Sequence, residues 1–184
     1  MRVDNIVLFV QRAKRKIREF GFTFETDGYR AFDMTRLAQH ITSGGIVEMD
    51  HAEEPDSQVW VVRADGQLPA MTFRRQEDVV GWARHIIGGS FGTGDAIVES
   101  VTVIAGSNGA GQIHDSTSRD EVWVQVKRTI NSATVRYIEM FERDYENTHD
   151  ATDAVYSDSC ITYSGGSTST ITGLGHLEGQ TVKV

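Results

Sequence analysis

The chain has 184 residues, enough to bury a hydrophobic core as one large domain or two small ones. Its 39% hydrophobic content, 18 glycines and two prolines are typical of a turn-rich globular protein and exclude an intrinsically disordered one. A formal net charge of −8 argues against a protein that grips nucleic acid, because phosphate binding draws on clustered lysine and arginine.

The single cysteine and the hydrophobic pattern exclude further classes. Cys160 alone cannot form an internal disulfide or a cysteine-rich metal site, and we interpret it as a small buried side chain in a strand. No segment approaches the ~18 apolar residues that span a bilayer, and the N-terminus lacks a secretion signal pattern. We therefore expect no membrane anchor and a chain made in a cytoplasm-like compartment.

Strands dominate the predicted elements of the first half. Residues 3–11 and 16–24 predict a hairpin, rich in β-branched and aromatic side chains. We interpret the basic cluster at its turn as a solvated tip rather than a binding patch; it comprises Arg12, Lys14, Arg15, Lys16 and Arg18. Residues 33–41 predict a short helix, capped by Asp33 and ended by Gly44-Gly45.

A meander follows at residues 46–52, 58–64 and 67–75, and Asp65-Gly66 predicts a two-residue turn with positive φ angles. Residues 79–86 fit a strand and a helix about equally, and we interpret them as a fourth strand.

The next predicted sheet begins after a loop at residues 88–94. Residues 97–105 predict its first strand and residues 106–119 a long polar excursion, followed by a hairpin at 121–129 and 133–142 with its turn at Asn131-Ser132. Its first strand alternates, with Val122, Val124 and Val126 on one face and Trp123, Gln125 and Lys127 on the other.

The composition changes after residue 143. Residues 144–157 predict an acidic linker, and residues 158–184 a small Ser/Thr/Gly-rich β module, incomplete as given, with strands near 161–163, 168–172 and 180–184. The residues before this linker, 1–143, are therefore predicted to form the main β domain.

The hairpins repeat one another. Aligning Val7, Val59 and Val122 gives spacings of 52 and 63 residues, and a β-hairpin recurring at such a period indicates propeller-like blades. We expect a mainly β protein with two fairly complete blades, at residues 46–86 and 97–142, after a partial one. The repeat positions that we single out are Val59, Trp60, Val61, Asp65, Gly66, Val122, Trp123, Val124, Tyr137 and Glu139.

Catalytic and cofactor-binding motifs are missing from the sequence. The six histidines have no compact ligand spacing, and the glycine-rich loop at residues 106–111 lacks the lysine of a phosphate-binding loop. The acidic pairs Glu53-Glu54 and Glu77-Asp78 lie at hairpin ends, where solvated charges protect sheet edges. We therefore expect neither catalysis nor a cofactor or metal.

The order of the motifs carries a resemblance to a known family. Five segments together resemble the tail-tube nozzle proteins of short-tailed bacteriophages, also called tail tubular B or stabilisation proteins. These segments are residues 55–68, 71–85, 98–104, 120–124 with 135–139, and 173–182. The resemblance implies a virion structural protein with a β-propeller platform, assembled as a ring that extends the tail tube. It also implies a location in the virion tail after assembly in the host cytoplasm.

The partners implied by the resemblance are further copies of the chain, other tail proteins such as adaptor and fibres, or both, with DNA passing through without tight binding. Because family members are much longer, we expect this chain to be a fragment, a split gene product or a degenerate copy. The alternative function is a carbohydrate-binding or receptor-adhesion β module of a phage tail, with Trp60, Trp82 and Trp123 as its platform.

Overall fold

The computed structural model describes residues 1–3, 5–105, 120–141 and 163–175, of which 55% lie in strands and 5% in helical turns. The predicted mainly β class is confirmed. The thirteen strands are β1 (Arg2–Val3), β2 (Ile6–Val10), β3 (Ile17–Thr23), β4 (Gly28–Asp33), β5 (Ile46–Ala52), β6 (Gln58–Arg63), β7 (Leu68–Arg74), β8 (Val79–His85), β9 (Ser90–Phe91), β10 (Gly94–Asp95), β11 (Ile97–Ile104), β12 (Glu121–Ile130) and β13 (Ala133–Met140).

Consecutive strands pair to form three main antiparallel sheets. Sheet 1 comprises β1 to β4, sheet 2 comprises β5 to β8, and sheet 3 comprises β11 to β13; β9 and β10 form a separate small hairpin. Each main sheet is a meander whose neighbouring strands are also neighbours in the chain. Within the described ranges, the sheets do not close into a barrel or a propeller.

Sheet 2 lies between the other two sheets. Val59 and Val61 of β6 pack in a buried cluster with Leu8 of sheet 1, whereas Trp60 packs in a second cluster with Val124 of sheet 3. The middle sheet therefore has two apolar faces, which explains why β6 reads as a continuous apolar run rather than an alternating one. By contrast, β12 alternates between buried and half-buried residues, as the sequence predicts.

Polar contacts join the sheets at their edges. Asp50 of β5 accepts a hydrogen bond from the backbone N–H of Val103 at 2.7 Å, and Glu48 accepts one from Val101 at 3.3 Å. These carboxylates satisfy edge donors of β11 that have no strand partner on that side. On the opposite side of sheet 2, Arg75 forms an ion pair of 2.6 Å with Glu19 of sheet 1.

The predicted helix at residues 33–41 is wrong. One carboxylate oxygen of Asp33 accepts hydrogen bonds from the backbone N–H and the hydroxyl of Thr35, at 3.0 and 2.6 Å. The N–H of Ala38 then bonds the carbonyl of Thr35, and the N–H of Ile41 bonds that of Ala38, both at 2.9 Å. These bonds close separate turns rather than a continuous helical ladder.

Side chains from sheet 2 bind backbone carbonyls at both ends of this segment. The indole of Trp82 donates to the carbonyl of Met34 at 3.0 Å, and the guanidinium of buried Arg63 donates to that of Ile41 at 2.7 Å. Tertiary contacts therefore replace the local helical hydrogen bonds.

The two predicted hairpin turns differ from each other. Asn131 and Ser132 form the expected two-residue turn, with φ angles of 49° and 62°. The Asp65-Gly66 prediction is wrong in length, because the N–H of Arg63 bonds the carbonyl of Gln67 at 3.0 Å and encloses three residues. Only Gly66 has a positive φ there, as a three-residue loop requires.

The structure differs from several smaller predictions. The first strand splits into β1 and β2, sheet 1 has four strands rather than a partial set, and the loop at 88–94 contains β9 and the start of β10. Residues 79–85 form a strand, as expected.

The described part of the tail, residues 163–175, contains no strand, so the prediction at 168–172 is wrong. The Thr168 hydroxyl bonds the backbone of Thr170 and competes with a ladder. The predictions for Cys160 and for residues 106–119, 144–157 and 180–184 lie outside the described residues.

Candidate interaction faces of the outer sheets

The strand registers place the repeated residues at equivalent positions in the three sheets. Val7 pairs with Phe20 in sheet 1, and Val59 pairs with Met71 in sheet 2. In sheet 3, Val122 accepts a hydrogen bond of 2.9 Å from the N–H of Phe141. The alignment of the three valines therefore also aligns large apolar residues on the next strand.

Two irregularities recur that the sequence comparison did not reveal. A short 3₁₀ turn joins the third and fourth strands of sheets 1 and 2, at Phe24–Thr26 and Arg75–Glu77, and an aspartate in the left-handed region ends each. A β-bulge interrupts the first strand of sheets 2 and 3, at Val47 and at Glu99. Apart from the two aspartates, these segments share too few residue types to be aligned by sequence.

Equivalent positions face the same way in each sheet. Leu8 of sheet 1 is buried against sheet 2, and its equivalent Trp60 is buried against sheet 3. The third equivalent, Trp123, is half-buried on the outer face of sheet 3. In each sheet, the face that carries the aligned valine is the predecessor face, which in sheets 2 and 3 packs on the preceding sheet. The opposite face is the successor face, which in sheets 1 and 2 packs on the following sheet.

The face toward the predecessor carries the three aligned valines. Val59 and Val122 are 0% and 7% exposed, because sheets 1 and 2 cover them. Val7 is 43% exposed, because sheet 1 has no predecessor within the described chain.

The face toward the successor shows the complementary pattern. By register, Ile17, Leu68 and Ile138 occupy one repeat position, each two residues before the partner of Leu8, Trp60 or Trp123. Ile17 and Leu68 are 0% and 1% exposed, whereas Ile138 is 76% exposed. A position that is apolar in all three sheets is therefore open to solvent only in the last.

The outer face of sheet 1 is aromatic. The rings of Phe20 and Tyr29 stack with centroids 5.2 Å apart, and Phe22 packs edge-on against Tyr29 at 5.4 Å. All three side chains remain exposed, although Phe residues favour burial. We call this surface the aromatic face; it comprises Val7, Phe9, Phe20, Phe22 and Tyr29.

The outer face of sheet 3, the tryptophan face, combines apolar residues with a charged network. Its apolar part contains Trp123, Ile138 and Met140, and its charged part contains Glu99, Lys127 and Arg136 with Gln125. Among the described residues, nothing covers either outer face in the way that sheets 1 and 3 cover sheet 2.

The charged network is centred on Glu99. Its carboxylate accepts a hydrogen bond from Arg136 at 2.7 Å and one from Gln125 at 3.0 Å, and lies 3.2 Å from the ammonium of Lys127. The hydrogen bond from Arg136, together with the one from Lys127, lowers the pKa of Glu99 to about 2 against desolvation that acts to raise it. The network therefore keeps its charges fixed at neutral pH.

The remaining repeat positions lie on the inner face of sheet 3 or at the turn between β6 and β7. Tyr137 and Glu139 are opposite Val126 and Val124 on the inner face of sheet 3, where Glu139 binds buried Arg128 through both carboxylate oxygens. Asp65 binds Arg63, and Gly66 contacts Ile97 at the start of sheet 3.

The three tryptophans that the sugar-binding alternative would use lie on different faces of the stack. Trp60 lies between sheets 2 and 3, Trp82 lies against the cluster between sheets 1 and 2, and Trp123 lies on the outer face of sheet 3. Within the described residues, no group of three His, Cys, Asp or Glu is arranged to hold a metal ion. No helix in this part of the chain is long and apolar enough to cross a membrane.

No protein-family model matches this chain, and no curated protein matches it.

Proposed function

We propose that this chain is a virion structural protein of a phage tail, forming part of the tail tube or nozzle through which DNA is ejected. Its three sheets act as blades of a propeller-like array, and it assembles with further copies, with other tail proteins, or with both. The proposal assigns the chain a scaffold role without catalysis.

The repeated stacking of the sheets supports this proposal. Consecutive meanders pack face to face in chain order, and equivalent residues such as Leu8 and Trp60 lie at equivalent interfaces. Blades of a propeller are arranged in this way. The order of motifs that resembles nozzle proteins gives the scaffold its biological setting.

The contacts within the stack support a scaffold role. Apolar clusters occupy both interfaces of sheet 2, and carboxylates or ion pairs bridge its edges. The outer faces of sheets 1 and 3 also carry exposed apolar side chains, such as Phe20 and Ile138. Such surfaces are typical of proteins that assemble.

Immunogold electron microscopy of phage particles from cells that encode the chain tests this function. An antibody raised against the purified chain should label the tail tube, and antibody pre-absorbed with the same protein should not. Label on fibre tips would favour the receptor-adhesion alternative. Particles without label, from cells that contain the chain in soluble form, would contradict a virion role.

A further inference from the structure

We propose that the aromatic face of one copy docks onto the tryptophan face of a second copy, so that the chains associate head to tail. The inference concerns the assembly named under the proposed function, but it rests on the sheet stack alone. The docking of the two faces and the proposed tail function can therefore each be disproved without the other.

The interfaces inside the chain supply the pattern. In both, the successor face of one sheet packs against the predecessor face of the next: Leu8 with Val59, and Trp60 with Val122. Within the described residues, the aromatic face is a predecessor face that no sheet covers, and the tryptophan face is a successor face that no sheet covers. They are the two halves of a third interface of the same kind.

Individual positions support this pairing. On the aromatic face, Phe20 and Phe22 are exposed, whereas their equivalents by register in sheet 2, Met71 and Phe73, are fully buried against sheet 1. On the tryptophan face, Ile138 is exposed although both of its equivalents are buried. Apolar side chains thus occupy positions that only a neighbouring sheet would bury.

The two faces carry groups that can form cation–π contacts with each other. The tryptophan face has two cations, Lys127 and Arg136, beside two carboxylates, Glu99 and Glu121. The aromatic face offers the ring surfaces of Phe20, Phe22 and Tyr29, whose π faces attract cations. Lys127 already lies 4.3 Å from the ring centroid of Phe91 in its own chain, which shows the same preference.

A head-to-tail contact has a consequence that a symmetric dimer lacks. Each added copy presents one new free face, so assembly ends only when the last copy meets the first and closes a ring. Pairing of two aromatic faces would instead join two predecessor faces, a combination that neither interface of the chain contains.

A complementation experiment tests the pairing. Phe20→Glu disables the aromatic face, Ile138→Glu disables the tryptophan face, and Leu37→Glu is a control at an exposed turn position on neither face. Sedimentation velocity should show oligomers for the wild type and the control and monomers for each face variant. An equimolar mixture of the two face variants should form a heterodimer that does not grow, because each retains the half that the other lacks.

Three results would overturn the proposal. The wild type could remain monomeric at high concentration, a single face variant could still form symmetric dimers through its intact face, or the mixture of folded variants could stay monomeric. Circular dichroism of each variant shows whether it has folded.

Cross-linking decides the question if a glutamate variant fails to fold. In a Cys160→Ser background, a chain with Tyr29→Cys is mixed with a chain with Ile138→Cys and treated with a short bismaleimide. Cross-links should join the two different chains, whereas Leu37→Cys in place of either should give none. Cross-links between two Tyr29→Cys chains, or no cross-links at all, would exclude the head-to-tail contact.

Discussion

Gly66 fixes the place where sheets 2 and 3 meet. Its φ angle is +84°, its carbonyl accepts a hydrogen bond of 2.9 Å from Val98, and an added Cβ would lie 2.5 Å from Cγ2 of Ile97. Gly66→Ala should therefore combine backbone strain with a steric clash. We expect it to lower the free energy of unfolding in urea by about 3 kcal/mol.

Two other glycines separate the effect of backbone strain from that of the steric clash. Gly92 has a φ of +61° with open space around its Cα, so Gly92→Ala should cost only the backbone term of about 1 kcal/mol. Gly81 lies in β8 with neither constraint, and Gly81→Ala should stabilise the protein by about 0.5 kcal/mol. Equal losses at all three positions would show that contact with sheet 3 does not matter.

Glu99 makes the stability of the protein depend on pH. Its pKa is about 2 in the folded chain, against an ordinary value of 4.5. Because the folded state favours the charged form, the stabilisation is fully present above about pH 4.5 and is lost as the pH falls toward 2. Glu99→Gln should reduce the slope of unfolding free energy against pH in that window, as measured by urea titration at several pH values.

The slope should not vanish in this variant, because Asp33 titrates in a similar window. Burial acts to raise the pKa of Asp33, but hydrogen bonds from Lys16 and Thr35 outweigh it and lower the pKa to about 2. Asp33→Asn should therefore remove a second, independent part of the slope. An unchanged slope in Glu99→Gln would mean that Arg136 and Lys127 do not hold the carboxylate in solution.

At the scale of elements, Arg128 anchors the end of sheet 3. Its buried guanidinium donates to the carbonyl of Gly88 at 2.7 Å and binds Glu139 on the adjacent strand β13. Arg128→Ala would leave a partly buried carboxylate without its counter-charge. We expect a loss of about 3 kcal/mol in the free energy of unfolding.

A solvent-exposed ion pair is the matched control for Arg128. Arg74 ends β7 and Asp56 lies in the turn between β5 and β6, and their side chains are 43% and 49% exposed. Arg74→Ala should cost less than about 1 kcal/mol. If the two variants lost similar amounts, burial would not be the cause of the effect at Arg128.

Strands were predictable where local pattern and tertiary burial agree. The alternation in β12 and the Asn131-Ser132 turn are local signals, and the structure contains both. Residues 33–41 have helical spacing, yet carbonyl binding by Arg63 and Trp82 is a long-range effect that no local window contains. The sequence therefore predicts most strands and misses the segment held by another sheet.

The interaction faces were only half predictable. The repeat positions Trp60 and Trp123 were recognised, but their different exposure follows from the position of each sheet in the stack. The aromatic face was missed because Phe20, Phe22 and Tyr29 alternate with polar residues as in any half-buried strand. The signal that could have found it is that Phe20 and Phe22 occupy the repeat positions of Met71 and Phe73 in the middle sheet.

At the scale of the whole molecule, the charge of −8 suits a conduit that does not hold DNA. Each cation that contacts phosphate adds affinity that must be broken as the duplex moves. Mobility-shift assays should show no duplex binding at physiological salt and weak binding at low salt only. Replacing Lys14, Arg15 and Lys16 by Ala should abolish that weak binding.

The structure restricts the basic tip further. Lys16 is held in an ion pair of 2.7 Å with Asp33, so part of the positive charge is already neutralised. Tight binding that persists at high salt would contradict the conduit role, and low-salt binding unaffected by the triple substitution would place the contact elsewhere.

The two apolar faces of the middle sheet also affect the growing chain. Sheet 2 is complete when His85 has been made, but the strand that covers Trp60 ends at Ile130, 45 residues later. At about 5–20 residues per second, that interval lasts about 2–9 s. During this time one face of a finished sheet is bare, so the yield of soluble protein depends on the rate of translation as well as on the stability of the final fold.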